Sequence, residues 1–256
     1  IDEKNAHLSY ESLIRSKDID AIYIATLNNT HLDIIKKCAE NKKDILCEKP
    51  FVLNNEEAML ASNFIKKNNV NFYEGIAYRT HDQTKAIKKI LDQKEIGEII
   101  SIESSFGFKV KRIKPDSRLF SKKLGGGSIL DVGCYPLSFL NLLFKDNNDY
   151  KLSNVSGGFA TTGVDDHAEA EIIINNSINC SLRVSIKDNL DNKIKIKGSN
   201  GEIIVNNPWL PDKKSTLDIK SGTSFHKKFI NSQLNIYSNQ IQKISDNFEK
   251  KINDDK

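Results

Sequence analysis

Apolar residues follow one pattern in the first third of the chain and another beyond it. Residues 20–26, Asp20-Ala21-Ile22-Tyr23-Ile24-Ala25-Thr26, form an apolar run without polar alternation, as a parallel strand covered on both faces reads. A helix is expected over 31–40, a strand at 44–47, a helix at 54–67 with Glu56 and Glu57 in its acidic first turn, and a strand at 70–74. Strand, helix, strand, helix, strand with short connections describes the second half of a doubly wound parallel sheet with right-handed crossovers.

After a helix over 82–94 the period falls to two. Ile100, Ile102, Phe106 and Phe108 share one face of 99–108, and Ala168, Ala170, Ile172 and Ile174 share one face of 167–174. Cys180, Leu182, Val184 and Ile186 repeat the pattern across a hairpin at Asn175-Asn176-Ser177, and 192–197 pairs with 202–206 across residues 198–201. One apolar and one polar face describe an antiparallel sheet with one side wet or in contact with another subunit. Leu234, Tyr237, Ile241, Ile244 and Phe248 then form a helical stripe expected to face the core. The fold class is therefore α/β. A partial doubly wound (Rossmann-type) sheet over 1–78 is followed by an α+β substrate-binding and oligomerisation domain over 79–256, built on a large, mainly antiparallel open sheet.

With 38% hydrophobic and 28% charged residues in 256, the chain is long enough to bury one large core or two ordinary ones. The formal charge of +4 is spread among both signs, so nucleic acid is not an expected partner. The nearest basic cluster, Lys111, Arg112, Lys114, Lys122 and Lys123, reads as a solvated loop or as a neighbour of a cofactor phosphate. No continuous apolar run approaches the roughly 20 residues of a membrane span, and the start is polar, so neither a membrane partner nor a signal peptide is expected. Cys38, Cys47, Cys134 and Cys180 lack paired spacing. They read as reduced thiols in a cytoplasmic protein, without a disulfide framework or a metal site.

Three stretches carry candidate chemistry. Glu48-Lys49-Pro50 leaves the end of an expected parallel strand, where open α/β sheets bind ligands; a charged surface turn is the plainer reading. Asp131 and Tyr135, four residues apart after Gly125-Gly126-Gly127, face the same way on a helix. Ile129, Leu130, Leu137 and Phe139 imply that this helix is buried, so Asp131 must meet a cation, a polar pocket or a helix N-terminus that it caps. Tyr78-Arg79-Thr80-His81 lies at the junction of the two halves, where Arg79 could hold a substrate hydroxyl, a phosphate or an interdomain partner. Asn28 and His31 read as part of a strand-to-helix turn.

Taken in order, these pieces resemble the glucose-fructose oxidoreductase, inositol dehydrogenase and rhizopine-catabolism family of NAD(P)-dependent oxidoreductases, particularly its dimeric dihydrodiol dehydrogenase and xylose dehydrogenase branch. The resemblance runs through Ser9–Leu13, 20–26, Asn28 to His31, Glu48-Lys49-Pro50, Tyr78–His81, Ile96–Ile99, Arg118, the stretch 125–136, Gly201 and Pro208-Trp209. It implies that Lys49, Asp131 and Tyr135 are catalytic. It also implies that Thr26, Asn28, His31, Glu48, Lys49 and Arg79 line the dinucleotide, and that Arg79, Arg118 and Tyr135 contact substrate. Leu27 stands where the family has proline. The cofactor implied is NAD or NADP, with NADP favoured by the branch. The partners implied are a small polyhydroxylated substrate and a second copy of the chain, joined in a homodimer or higher homo-oligomer through the antiparallel sheet.

The family's glycine-rich phosphate turn would precede Ile1. The only methionine is Met59, and 250–256 trails off without a cap. The chain is thus expected to be truncated at both ends, and in isolation to bind dinucleotide poorly. Oxidation of a secondary alcohol needs a base for the hydroxyl proton while hydride leaves carbon. A free tyrosine titrates near 10, so Tyr135 would need the Lys49 ammonium beside it, with Asp131 fixing the geometry. The rivals are a non-catalytic binding subunit, an assembly role, and hydride-mediated glycoside hydrolysis.

Overall fold

The computed structural model describes residues 6–144 and 148–250, so the expectations placed on Ile1 and on the tail beyond Lys250 lie outside the described residues. The chain divides into two compact units. One runs to Gly75 and resumes from Gln242; the other is Ile76–Ile241.

The first unit opens with a short helix, α1 (Tyr10–Arg15), closed at its N-terminus by reciprocal bonds between Ser9 and Ser12. A three-stranded parallel sheet follows, in the order β1 (Ala21–Ile24), β2 (Asp44–Glu48), β3 (Phe72–Gly75), connected by α2 (His31–Glu40) and α3 (Asn55–Asn68). One face of the sheet buries Ile22, Ile24, Ile45 and Cys47 against Ile34, Ile35, Cys38 and Ala61 of the helices. Lys43, only 8% exposed, is tolerated because its ammonium donates to the carbonyls of Ser16 (2.6 Å) and Ile19 (2.5 Å).

The second unit is an eight-stranded sheet ordered β11-β10-β9-β8-β4-β7-β6-β5. Its strands are β4 (Ile99–Gly107), β5 (Tyr150–Phe159), β6 (Asp165–Ile174), β7 (Ile178–Ser185), β8 (Lys193–Gly198), β9 (Gly201–Asn206), β10 (Lys214–Ser221) and β11 (Ser224–Asn231). Among the described residues of this sheet, only β4 and β7 pair in parallel. Its helices are α4 (Asp82–Asp92) and α5 (Cys134–Phe144). The inner face carries Ile102, Cys180, Leu182, Val184, Ile194, Ile196, Ile203, Val205, Leu217 and Ile219, all buried, as the alternation requires. The outer face presents Lys195, Glu103, Arg183 and Glu169 in neighbouring strands.

Several expectations need correction. A register shift between Ile99 and Ser101 takes Ile100 out of the pattern, and it is 42% exposed. The last helix, α6 (Ile236–Glu249), buries Ile236, Gln240, Ile244 and Asn247, while Leu234, Tyr237 and Ile241 are exposed. The helical period was right, and of the expected stripe Ile244 and Phe248 pack inward while the three residues before them do not. From Gln242 the helix belongs to the first unit, where Ile244 and Phe248 pack on Leu46 and Tyr73, so the second unit does not extend to the chain end. The helical stretch Lys122–Phe144 is 23 residues long and apolar enough on average to cross a membrane. Its buried side chains, Val132, Tyr135, Phe139 and Leu140, belong to the core of the second unit.

Candidate active site

In the first unit, the candidate groups gather where the parallel strands end. The turn from Glu48 to Phe51 is fastened from three other elements. Tyr23 of β1 donates its hydroxyl to Glu48 Oε1 at 2.5 Å, Glu74 of β3 accepts the Phe51 amide at 3.1 Å, and His31 of α2 places Nδ1 3.0 Å from the Pro50 carbonyl. The Lys49–Pro50 peptide is cis. Lys49 is half-buried in the middle of this fastened turn. The backbone around it fixes where it leaves the strand.

The neighbouring turn after β1 is built as tightly. Thr30 donates to the Leu27 carbonyl at 2.8 Å, which leaves Thr26 to donate to Thr30 Oγ1 at 2.7 Å. His31 is fully buried, and its Nε2 lies 3.2 Å from the Thr26 carbonyl. Both nitrogens of His31 thus face backbone carbonyls, one in each turn, and a neutral imidazole donates to only one of them. Asn28 is buried in the 3-10 turn Asn28–Thr30. Cys47, beside Glu48, is no nucleophile. Burial and the Glu74 and Glu48 charges push its thiol far above the usual range.

In the second unit, Asp131 and Tyr135 stand on a π-helical turn, Ile129–Gly133, that runs directly into α5. Asp131 is buried, and its Oδ1 accepts from Arg118 Nη1 at 2.7 Å, a cation of the kind its burial requires. Arg118, expected to hold substrate, therefore has one nitrogen on Asp131, with its side chain 53% exposed. Tyr135 is 9% exposed, and its ring lies between aromatic neighbours: Phe106 edge-on at 5.0 Å, Tyr78 stacked at 6.0 Å and Trp209 edge-on at 6.2 Å. Arg79 is half-buried on the 3-10 turn Ala77–Thr80 that follows β3. Ile129 and Leu137 are each 45% exposed, so this helix is less enclosed than its composition suggests.

The glycine run has a steric purpose. A Cβ on Gly126 would lie 2.6 Å from the Leu119 carbonyl oxygen, and one on Gly127 2.2 Å from Asp165 Oδ1. Asp165 Oδ2 in turn accepts the Ser128 hydroxyl at 2.6 Å and the Ile129 amide at 2.7 Å. A carboxylate from β6 thus closes the N-terminus of the helix that bears Asp131 and Tyr135. Sequence reading missed Asp165, Tyr23 and Glu74; only Gly127, which permits the close approach of Asp165, signalled one of them.

A carboxylate and an ammonium at the carboxyl ends of adjacent parallel strands suit the ribose hydroxyls and nicotinamide end of a dinucleotide, and the donor set of the first unit fits that group. The second unit, an antiparallel sheet with its helices, bears a buried acid, Asp131, and a buried tyrosine, Tyr135. Residues 3–76 match the model of an oxidoreductase family with an NAD-binding Rossmann fold, and residues 84–204 match the GFO/IDH/MocA C-terminal domain. The chain belongs to the glucose-fructose oxidoreductase, inositol dehydrogenase and rhizopine-catabolism family.

Among its relatives is a trans-1,2-dihydrobenzene-1,2-diol dehydrogenase of Xenopus tropicalis, 33% identical over 80% of this chain and 62% of the relative. A D-xylose 1-dehydrogenase (NADP(+)) of Haloferax volcanii is 32% identical over 54% of this chain and 42% of the relative. A 3-ketoreductase from Actinomadura kijaniata, solved with NADP and TDP-benzene, shares the fold with a TM-score of 0.85 at 20% identity, over 96% of this chain and 75% of that one. The chain spans about 62% of the length of the dihydrodiol dehydrogenase.

Proposed function

We propose that the protein is an NAD(P)-dependent dehydrogenase or reductase that moves a hydride between nicotinamide and a secondary alcohol or carbonyl of a sugar, polyol or cyclic diol. The observation that carries this reading is the fastened turn at the end of β2, which presents Lys49 inside a region matched by an NAD-binding family model. The substrate class follows the dihydrodiol and xylose dehydrogenases among the relatives. The cofactor lean is to NADP, named for the xylose dehydrogenase and bound in the ketoreductase structure.

In this reading Tyr135 exchanges the hydroxyl proton of the substrate, and Lys49 reaches the cofactor ribose and the substrate. Asp131, held by Arg118, keeps the turn that carries Tyr135 in place, and the aromatic neighbours of Tyr135 exclude water from its ring. Nicotinamide, when bound, takes or supplies the hydride. Thr26, Asn28 and Glu48 line the dinucleotide. His31 acts there through the backbone by joining two turns, and Arg79 and Arg118 reach the outlying oxygens of the substrate. The protein is further proposed to be cytoplasmic, since Cys38, Cys47 and Cys180 are buried free thiols, and to pair with a second copy through the large sheet.

In the protein at its native length, Tyr135→Phe is expected to lower kcat by about a hundredfold or more, with dinucleotide affinity little changed. Lys49→Met should also lower kcat. Unchanged turnover in Tyr135→Phe would remove the assignment.

A further inference from the structure

We propose that Tyr23 is a positioning residue of the dinucleotide site, acting through Glu48. The proposal deepens the dehydrogenase reading and rests on it. In the β1–β2 register Tyr23 lies opposite Leu46, so Glu48, two residues further along β2, is its diagonal neighbour on the same face. A tyrosine is long enough to span that diagonal, and its hydroxyl donates to Glu48 Oε1 at 2.5 Å. The second oxygen, Oε2, accepts the Lys49 amide at 3.3 Å.

The third side is kept clear. Gly75 pairs with Glu48 in β3, and a Cβ there would lie 3.3 Å from Glu48 Oε2 and 3.1 Å from its Cα. The carboxylate is thereby held from β1 and from the chain ahead of it, with room left on the β3 side. Its direction is set immediately before Lys49.

Burial does not explain Tyr23. Among the described residues it is 52% exposed, whereas Ile22 and Ile24 on the other face are 7% and 2% exposed. The ring therefore adds little to the core, and the strand's own packing comes from the two isoleucines. What the tyrosine supplies beyond a phenylalanine is one hydroxyl, placed on the carboxylate next to the candidate lysine. Without that hydroxyl the Glu48 side chain turns among several rotamers, and cofactor binding has to select one of them.

The test is Tyr23→Phe in the protein at its native length. NADPH affinity is read directly from fluorescence titration, alongside KM for the dinucleotide, kcat at saturating cofactor, and the thermal midpoint. The expected result is a rise of about tenfold in Kd and KM, the equivalent of one hydrogen bond to a charged group, with kcat within about twofold. In a Glu48→Gln background the same change should have little effect on Kd, because the group it orients has lost its charge.

Wild-type affinity in Tyr23→Phe would overturn the proposal, as would the same tenfold loss in the Glu48→Gln background. A wild-type protein that binds no dinucleotide overturns the dehydrogenase reading as well. A wild-type protein that binds dinucleotide while Tyr23→Phe is silent sinks the role of Tyr23 alone.

Discussion

The contact between Asp165 and Gly127 allows a quantitative test of what holds the Asp131–Tyr135 turn. Asp165→Ala removes the acceptor of two short bonds, from the fully buried Ser128 hydroxyl at 2.6 Å and the Ile129 amide at 2.7 Å. Bonds to a charged group contribute about 1.5–3 kcal/mol each, and water replaces part of the loss at Ile129, so the expected cost is about 3 kcal/mol. Asp165→Asn keeps one acceptor oxygen without the charge and should cost about 1 kcal/mol. Gly127→Ala places a Cβ 2.2 Å from Asp165 Oδ1 at a residue whose φ is +120°. The carboxylate must move away and lose the same two bonds, and the backbone strain adds about 1–2 kcal/mol. In the double variant the clash has no partner, so only one copy of the bond loss remains. It should cost about 4–5 kcal/mol, where simple addition gives about 7–8 kcal/mol. Urea unfolding followed by the fluorescence of Trp209 reads this. Trp209 is the only tryptophan in the chain, and it is 1% exposed in the core of the second unit. Additivity of the two substitutions to within about 0.5 kcal/mol would show that the carboxylate does not fill the space beside Gly127.

A pH effect is expected from His81, fully buried at the N-terminus of α4, where Nδ1 accepts the Gln83 amide at 3.2 Å. Burial lowers its pKa, partly opposed by Asp82. The unfolded chain then takes up the proton near pH 6.5 and the folded chain only below that, so stability is full above about 6.5 and declines as pH falls through it. His81→Asn keeps an acceptor for the amide and has no proton to gain. Its urea midpoint should fall less between about pH 7.5 and about pH 5.5 than that of the wild type, and parallel declines would refute the assignment. If the outer face of the large sheet joins two copies, Phe225 and Phe229 of β11, 65% and 73% exposed, belong to the contact. Light scattering after size exclusion should then report a dimer for the wild type and a monomer for Phe225→Ser/Phe229→Ser, and a wild-type monomer would end that reading.

Periodicity in the sequence revealed the two sheets because most of their strands obey a single rule of burial. The alternating runs at 167–174 and 180–186 turn inward the residues their spacing says, whereas the run 20–26, read as covered on both faces, buries Ile22 and Ile24 and leaves Ala21 and Tyr23 exposed among the described residues. Strand β5 had no such signal. Nearly every residue in it is exposed, and it is ordered by pairing with β6. In α6, Gln240 and Asn247 are buried although both lie outside the expected apolar stripe. Asn247 is tolerated because it donates to the Tyr73 hydroxyl at 3.0 Å, a partner 174 residues away. Hydrophobic spacing cannot register a buried amide whose partner lies on another element, and the stripe drawn through Leu234, Tyr237 and Ile241 was the cost of that blindness.

The same reasoning separates the candidate site into what local sequence shows and what it hides. Lys49, Asp131 and Tyr135 stood out by residue type and by their place at a strand end or behind a glycine run. Three of the side chains around them did not, because each acts across a gap in sequence: Tyr23 on Glu48 over 25 residues, Glu74 on Phe51 over 23, Asp165 on Ser128 over 37. Those gaps are consequences of register. Once Tyr23 is opposite Leu46, the pleat leaves Glu48 as the nearest residue on that face at the end of β2. A one-residue slip of β1 would turn Tyr23 into the core and expose Ile22 and Ile24. The burial of those two isoleucines therefore fixes the partner of Glu48 as firmly as it fixes the strand.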